Sequence, residues 1–520
     1  MSSPVVEPLP EGLSRVTSNP ISAPRHIRGS AIVLLGRGVA LLINFLGQVL
    51  VVRYLSKADF GALAFATSMV AGVSTLLVLG LDKSLARFTA IHQEERDYGR
   101  MFGTMLLALA AVSLSGLAVV AGLLVLWVTI GFPFASNDLA ARLLLLLMLV
   151  APFHALDGLL LALFGVFSSP AAILVRRHLL GPGLKLLVIG VVIVCGGGVY
   201  WLTLGQMAGQ VFGVLVGFGL LWGILRGQAL LDGFCFTDLK WSSRELFRYS
   251  LPVVTSDLMM VFRVALVVFL LEWLRGSAEV AELRAVFPLA RLNESVMTTF
   301  TLLFVPTVSR MFARQEGELI DKVYWQTAAW MMALCFPLFL VCFVFATPIS
   351  GWLFGSAYRS AGPVLALLSL GCFLHAALGF NAQTLRIHGY GNLVALIDVL
   401  SLVIGILGNF VLIPTYGTWG AAVATTLALL FQNLANHVGM VCLTNVSFFN
   451  RAYARPYLVA VAGWGCLTAV QTWFPLPLAV GLVLAALVSG AVFYLGRRAL
   501  EITSTLPELT RVPLIGRAFN

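Results

Sequence analysis

Charged residues are scarce in this chain. Only 11% of its 520 residues are Asp, Glu, Lys or Arg, whereas a soluble domain has about 25%. The mean hydropathy is +0.96, and 59% of the residues are hydrophobic. This composition excludes a soluble globular protein and predicts an all-α polytopic membrane protein.

Motifs for metal binding and catalysis are lacking as well. The 7 cysteines are scattered singly, and the 7 histidines show no HExxH spacing. The sequence contains no Walker A loop, no GxSxG and no close pair of intramembrane carboxylates. We therefore predict that the chain is not an enzyme and that it uses no metal and no cofactor.

Apolar runs of membrane-spanning length recur along the whole chain, because about 20 helical residues are enough to cross a bilayer. They predict about fourteen spans, near residues 30–52, 60–81, 101–128, 139–163, 172–194, 203–225, 250–273, 280–305, 324–346, 361–381, 393–413, 419–443, 453–473 and 478–495. An even number of spans places both termini on one side of the membrane.

Lys and Arg residues are about four times as frequent in one set of loops as in the other. The positive-inside rule therefore predicts that both termini are cytoplasmic. In this arrangement Arg176 and Arg177 fall in an inside loop, and Arg284 falls outside. Because this bias accounts for most of the net charge of +10, the charge does not imply nucleic-acid binding.

A polar link and a weak internal repeat divide the chain. Arg28 and Ser30 open the first span, and Arg248 and Ser250 open the seventh, an offset of about 220 residues. This predicts two pseudo-repeated six-helix lobes plus two C-terminal helices. The predicted boundaries are a disordered cytoplasmic tail at 1–28, a first lobe at 29–225, a cytoplasmic linker at 226–248, a second lobe at 249–443, the last two spans at 444–496 and a cytoplasmic tail at 497–520.

Polar residues inside the spans predict a cavity. Arg37, Asn44 and Gln48 fall within roughly 20° of one line on the first helix. An arginine that faces lipid costs roughly 3 kcal/mol or more, so Arg37 should face protein or water. Guanidinium groups match pairs of phosphate oxygens. We therefore predict a cationic substrate-binding cavity formed by both lobes, with the members Arg37, Arg291, Arg263, Asn44 and Gln48.

A structural role for the same residues stays open at this point. Arg291 and Glu294 lie three residues apart, so they could neutralise each other. Arg263 could pair with Asp257 or Asp398. Asn44 and Gln48 could serve only to hold helices together.

The opening segment GSAIVLLGRGVALLINFLGQVLVVRYLSKADFGALAF resembles the start of bacterial Wzx-type polysaccharide flippases of the MOP superfamily. In that family the first helix ends in an RxLxxxDFGxxxF loop, which is matched here by Arg53, Leu55, Asp59, Phe60 and Gly61. The segments RYSLPVVTSDLMM, LFVPTVSRM and WLFGSAYRSAGPVLALLSLG match further along the chain. The resemblance covers most of the sequence.

This resemblance implies a function and a location. Such proteins move an undecaprenyl-diphosphate-linked oligosaccharide across the bacterial inner membrane by alternating access, for lipopolysaccharide or exopolysaccharide biosynthesis. The implied partners are the lipid-linked oligosaccharide, membrane lipids, a polysaccharide polymerase and other assembly proteins, but no nucleic acid. Some members are similar to antiporters, and for that role the ion-coupling candidates are Asp398, Asp257 and Asp157.

Three other functions stay open. A multidrug antiporter of the MATE branch would have an acidic cavity, which Arg37 and Arg291 argue against. A lipid II flippase would also have a cationic cavity and about fourteen spans. A non-transporting scaffold of a polysaccharide synthesis complex would have its intramembrane charges paired.

Overall fold

The computed structural model of the chain describes residues 23–129, 138–167, 170–230, 239–241 and 243–501. These residues are nearly all helical and contain no β-strand, which confirms the predicted all-α class. Among them, 10 helices are long and apolar enough to cross a membrane, or up to 11 if a bent pair is one span. The count of about fourteen spans therefore stays a prediction.

The first lobe is the group of helices before the polar link. Its members are α1 (Ala23–Tyr54), α2 (Lys57–Val78), α3 (Leu81–Glu94), α4 (Tyr98–Thr129), α5 (Asp138–Met148), α6 (Ala151–Val166), α7 (Pro170–Ile173), a π-helix (Leu174–Leu180), α8 (Gly181–Val194) and α9 (Val199–Gly227).

The second lobe follows the polar link. Its members are α10 (Ser243–Arg275), α11 (Ser277–Ala290), α12 (Asn293–Ala313), α13 (Gly317–Val344), α14 (Ala346–Phe354), a 3₁₀ turn (Ser356–Ala361), α15 (Gly362–Ala377), α16 (Asn381–Ile387) and α17 (Gly391–Leu443).

Two C-terminal helices, α18 (Ala454–Trp473) and α19 (Leu478–Gly496), pack on the second lobe. The Tyr457 hydroxyl donates to the Ala377 carbonyl at 2.7 Å. Gly481 lies against the ring of Phe345, where a side chain would overlap the ring. These contacts attach the last two helices to α15 and to the junction of α13 and α14.

The helices extend past two of the predicted boundaries. The first helix begins at Ala23, inside the predicted tail, and α10 begins at Ser243, inside the predicted linker. The rest of the predicted N-terminal tail, residues 231–238 of the linker and residues 502–520 of the C-terminal tail lie outside the described residues. The domain boundaries therefore stay predictions.

Several predicted spans are not single straight helices. The span at 280–305 is split between α11 and α12 at Arg291 and Leu292. The span at 139–163 bends by 43° between α5 and α6. The helix α17 joins two predicted spans across a kink at Gly417, whose φ of 55° is in the left-handed region that glycine tolerates. Apolar content alone does not show such breaks.

Candidate functional site

The polar stripe of α1 faces the second lobe. Arg37 Nη2 donates to Thr298 Oγ1 of α12 at 3.1 Å. Gln48 Nε2 donates to the backbone carbonyl of Arg284 in α11 at 3.0 Å. Between them, Asn44 donates to the Ala40 carbonyl of its own helix at 2.8 Å. The stripe therefore lies where the two lobes meet.

A proline explains why Gln48 finds an acceptor on α11. Pro288 lies inside this helix and has no N–H to donate to the carbonyl of Arg284, four residues earlier. A carbonyl without a partner inside an apolar helix is costly. Gln48 satisfies it from the other lobe.

Two cations next to this contact have no acidic partner in the part of the chain that the structure describes. Lys185 of α8 and Arg284 of α11 belong to different lobes and act on each other electrostatically. Among the described residues, no carboxylate forms an ion pair with either of them or with Arg37. His178 of the π-helix lies within electrostatic range of Arg37. Positive charges without counterions in apolar helices favour an anionic ligand.

Arg291 is different, because it already has a counterion. It lies at the C-terminal end of α11 and contacts Glu294 through two hydrogen bonds of 2.6 and 2.7 Å. Its guanidinium also lies over the ring of Phe287, 5.1 Å from the centroid. The substrate-binding role of Arg291 stays a prediction. The contacts with Glu294 favour the alternative in which the two charges neutralise each other.

Arg263 and Asp398 belong to one hydrogen-bonded chain in the second lobe. Arg263 Nη1 donates to Gln432 Oε1 at 2.8 Å, and Gln432 Nε2 donates to Asp398 Oδ1 at 2.5 Å. Arg386 lies 3.5 Å from the other oxygen of Asp398. Arg263 is therefore linked to Asp398 through Gln432, and the alternative pairing with Asp257 involves a side chain outside the described residues.

Asp157 forms a buried ion pair in the first lobe. Its Oδ1 lies 2.8 Å from Nη2 of Arg176, and the Arg176 side chain is only 4% exposed. The two atoms are close but poorly aligned for a hydrogen bond. Arg176 also packs against Gly213, where a side chain would overlap the guanidinium, and lies in van der Waals range of a side chain at Gly217. Arg176 lies on the π-helix, whose buried residues are Arg176 and His178.

The remaining predictions on site residues lie elsewhere. The side chain of Asp257 is outside the described residues. In the part of the chain that the structure describes, no group of three His, Cys, Asp or Glu residues could hold a metal ion. A surface concavity of about 550 Å³ at the α12–α13 turn contains Glu316, Glu318 and Lys322 but none of the predicted site residues.

The two lobes are in close contact at the Arg53 end of α1. Arg53 donates to the carbonyls of Trp352 and Leu353, the latter at 2.8 Å, in the last turn of α14. Carbonyls at a helix C-terminus lack intrahelical partners and attract cations. Gly61 of α2 lies so close to Ser277 that an added Cβ would be 1.7 Å from the Ser277 carbonyl oxygen. This end is therefore closed.

Sequence reasoning missed part of this arrangement. It placed Arg284 in an outside loop and Arg176 in an inside loop, whereas both lie within helical segments. It weighed Lys185 as an intramembrane cation but did not place it among the substrate-binding residues, and it gave no role to Gln432. The presence of Pro288 four residues after Arg284 was the one available signal for the Gln48 contact.

The fold is similar to that of two solved membrane transporters. The structure resembles that of the lipid II flippase MurJ in an inward closed conformation, with a TM-score of 0.68 and 14% identity over 91% of this chain and 100% of that chain. It also resembles an inward-facing multidrug resistance MATE family transporter, with a TM-score of 0.62 and 14% identity over 78% of this chain and 95% of that one. At this identity the likeness concerns the fold.

The family follows from the sequence itself. The family described as "polysaccharide biosynthesis protein" matches residues 27–312, more than half of the chain. The chain therefore belongs to the polysaccharide biosynthesis protein family, in agreement with the predicted resemblance to polysaccharide transporters.

A curated relative supports the same assignment. The probable low-salt glycan biosynthesis flippase Agl15 of Haloferax volcanii is 31% identical over 218 residues. The match spans 40% of this chain and 43% of the relative. The relatives are thus named as flippases or transporters rather than enzymes.

Proposed function

We propose that this protein is a flippase that carries an undecaprenyl-diphosphate-linked oligosaccharide across the bacterial inner membrane by alternating access. The observation that carries the proposal is the series of cations along the contact between the lobes, Arg37, Lys185 and Arg284, for which the described residues supply no carboxylate partner. A diphosphate supplies the missing negative charge. The family and the relative named as a glycan flippase support the same class of cargo.

The closed Arg53 end fits one state of an alternating-access cycle. With both termini cytoplasmic, this end faces outward, so the described state would admit cargo from the cytoplasm. Ion coupling is a further part of the proposal. Asp157 and Asp398 both lie beside arginines, so a proton or cation would have to compete with a guanidinium at either site.

The test is an assay of leaflet distribution in a deletion strain. Complementation uses the wild type, Arg37→Ala, Arg284→Ala and, as a control, Arg226→Ala, which removes an exposed cation at the end of α9. We expect the lipid-linked unit to accumulate on the cytoplasmic side with the two cavity variants, and export to continue with the wild type and the control.

Other outcomes would point to the other functions. If the unit reaches the outer leaflet without this protein, the proposal is wrong, and efflux of organic cations becomes the next assay. If the protein instead restores growth of a strain depleted of its lipid II flippase, lipid II is the cargo. If assembly fails while the leaflet distribution is unchanged, the protein is a scaffold.

A further inference from the structure

The chain Arg263–Gln432–Asp398 connects three helical segments of the second lobe. Arg263 lies on α10, Asp398 on the part of α17 before the Gly417 kink, and Gln432 on the part after it. The two hydrogen bonds measure 2.8 Å and 2.5 Å. The three side chains are therefore one connected unit.

The chemistry of the chain fixes its direction. A guanidinium only donates hydrogen bonds, and a carboxylate only accepts them. An amide between them can satisfy both in one orientation, with its oxygen toward Arg263 and its NH₂ toward Asp398. Asp398 thus fixes the amide of Gln432, and the amide fixes the guanidinium.

The guanidinium at the end of this chain still has donor capacity. Arg263 Nε is buried and has no hydrogen-bond partner among the described residues. Asp398 attracts it electrostatically and is joined to it by hydrogen bonds through the Gln432 amide, whereas the nearby charge of Arg291 repels it. A guanidinium held in this way is prepared for an anion.

We propose that Asp398, through Gln432, is a positioning residue for Arg263, and that Arg263 contacts the phosphate groups of the cargo from the second lobe. The proposal rests on the proposed function, since it takes the cargo to be a diphosphate. In this role Asp398 needs only to accept a hydrogen bond from Gln432. Ion coupling would instead require its carboxylate to bind and release a proton or a cation.

The experiment measures binding of farnesyl diphosphate to the purified full-length protein in nanodiscs. Asp398→Asn keeps an acceptor for Gln432, so we expect affinity within about threefold of the wild type. Asp398→Leu and Gln432→Leu remove one link each and should weaken binding about tenfold. Asn392→Leu, at an exposed position on the same helix, is the matched control.

A double-mutant cycle separates positioning from a general structural effect. If Asp398 acts through Arg263, Asp398→Leu should have no further effect on affinity in an Arg263→Ala background. Arg263→Met, which keeps the aliphatic volume, replaces Arg263→Ala if that variant is not monodisperse by size exclusion.

Three results would overturn the inference. One is an equal loss from Asp398→Leu in the wild-type and Arg263→Ala backgrounds. Another is a loss from Asp398→Asn as large as that from Asp398→Leu, because charge would then matter more than the acceptor. Failure of the wild type itself to bind farnesyl diphosphate would overturn the proposed function and this inference with it.

Discussion

Lys57 on α2 and Glu282 on α11 form an ion pair that connects the two lobes. The side chains are 27% and 16% exposed, so the pair is partly shielded from water. Ser360 Oγ donates to the same carboxylate oxygen at 2.6 Å, and Lys57 Nζ lies 3.4 Å from the Ala357 carbonyl. Together with Arg53, the pair closes one end of the contact between the lobes.

The first prediction concerns this pair. Lys57→Glu places two carboxylates side by side and should lower transport about tenfold, because a partly buried charge loses its partner. The double variant Lys57→Glu/Glu282→Lys re-forms the pair and should recover most of the activity. Complementation of surface polysaccharide export measures both, and Arg142→Glu, at an exposed cation on α5, is the control. Equal activity of the single and double variants would show that the pair does not take part in closure.

The second prediction concerns Gly61. A side chain here would overlap the backbone of Ser277, so Gly61→Val should prevent the lobes from closing at this end. We expect a cysteine placed at Ser277, which is only 4% exposed, to become more reactive toward a membrane-impermeant maleimide. Gly122→Val is the matched control, because no atom lies within 4 Å of the added Cβ at that helical glycine. Unchanged labelling would mean that α2 and α11 accommodate the valine without opening the Arg53 end.

The third prediction concerns the buried pair of Asp157 and Arg176. Replacing Arg176 by methionine leaves the Asp157 carboxylate without a counterion and should cost about 3–5 kcal/mol of stability. The double variant Arg176→Met/Asp157→Leu removes both charges and should recover much of the loss. Thermal unfolding in detergent, followed by size exclusion, compares the two. A double variant no more stable than the single one would show that packing against Gly213 and Gly217 matters more than charge.

The fourth prediction concerns pH and the turn before α4. The backbone N–H of Arg100 donates to Asp97 Oδ1 at 3.1 Å and lowers the pKa of Asp97 below its usual value, and the Lys240 ammonium acts in the same direction. The stabilisation is therefore present above the usual carboxyl pKa and is lost as the pH falls through the lowered value. Asp97→Ala should lower the Tm by about 1–2 °C at pH 7.

This difference should shrink when the same comparison is made at pH 3, below the usual carboxyl pKa, because the unfolded chain then binds a proton at this position. Glu94→Ala, at an exposed carboxylate in the preceding helix, is the control and should show little effect at either pH. A deficit for Asp97→Ala that stays constant between pH 7 and pH 3 would mean that its charge is unimportant for the turn.

Helical periodicity was sufficient to predict which face of α1 matters. Arg37, Asn44 and Gln48 were placed on one stripe by the number of residues per turn, and the structure has that stripe against the second lobe. The partners could not be predicted, because Thr298 and the Arg284 carbonyl are more than 230 residues away along the chain. Composition and periodicity describe residues that are close together in the sequence. They therefore predict helices, but they do not predict which residues of distant helices come into contact.

Charge bias in the loops was a poorer guide to individual cations. It placed Arg176 in a loop because the bias takes no account of a counterion on another helix, whereas Asp157 allows Arg176 to be buried. The Arg291–Glu294 pair was foreseen as one alternative, because its partners are three residues apart on the chain. Relationships within one turn are readable from sequence, but those between helices need the fold.

Pro288 has a consequence for how this protein can change over time. The Arg284 carbonyl is free to accept from Gln48 because Pro288 has no backbone N–H to donate to it. The residues at positions 48 and 288, which belong to different lobes, therefore depend on each other. Another residue at 288 would return the Arg284 carbonyl to its own helix and leave the Gln48 amide without its acceptor. Among relatives, a proline at 288 should therefore be inherited together with an amide side chain at 48, and loss of one should permit loss of the other.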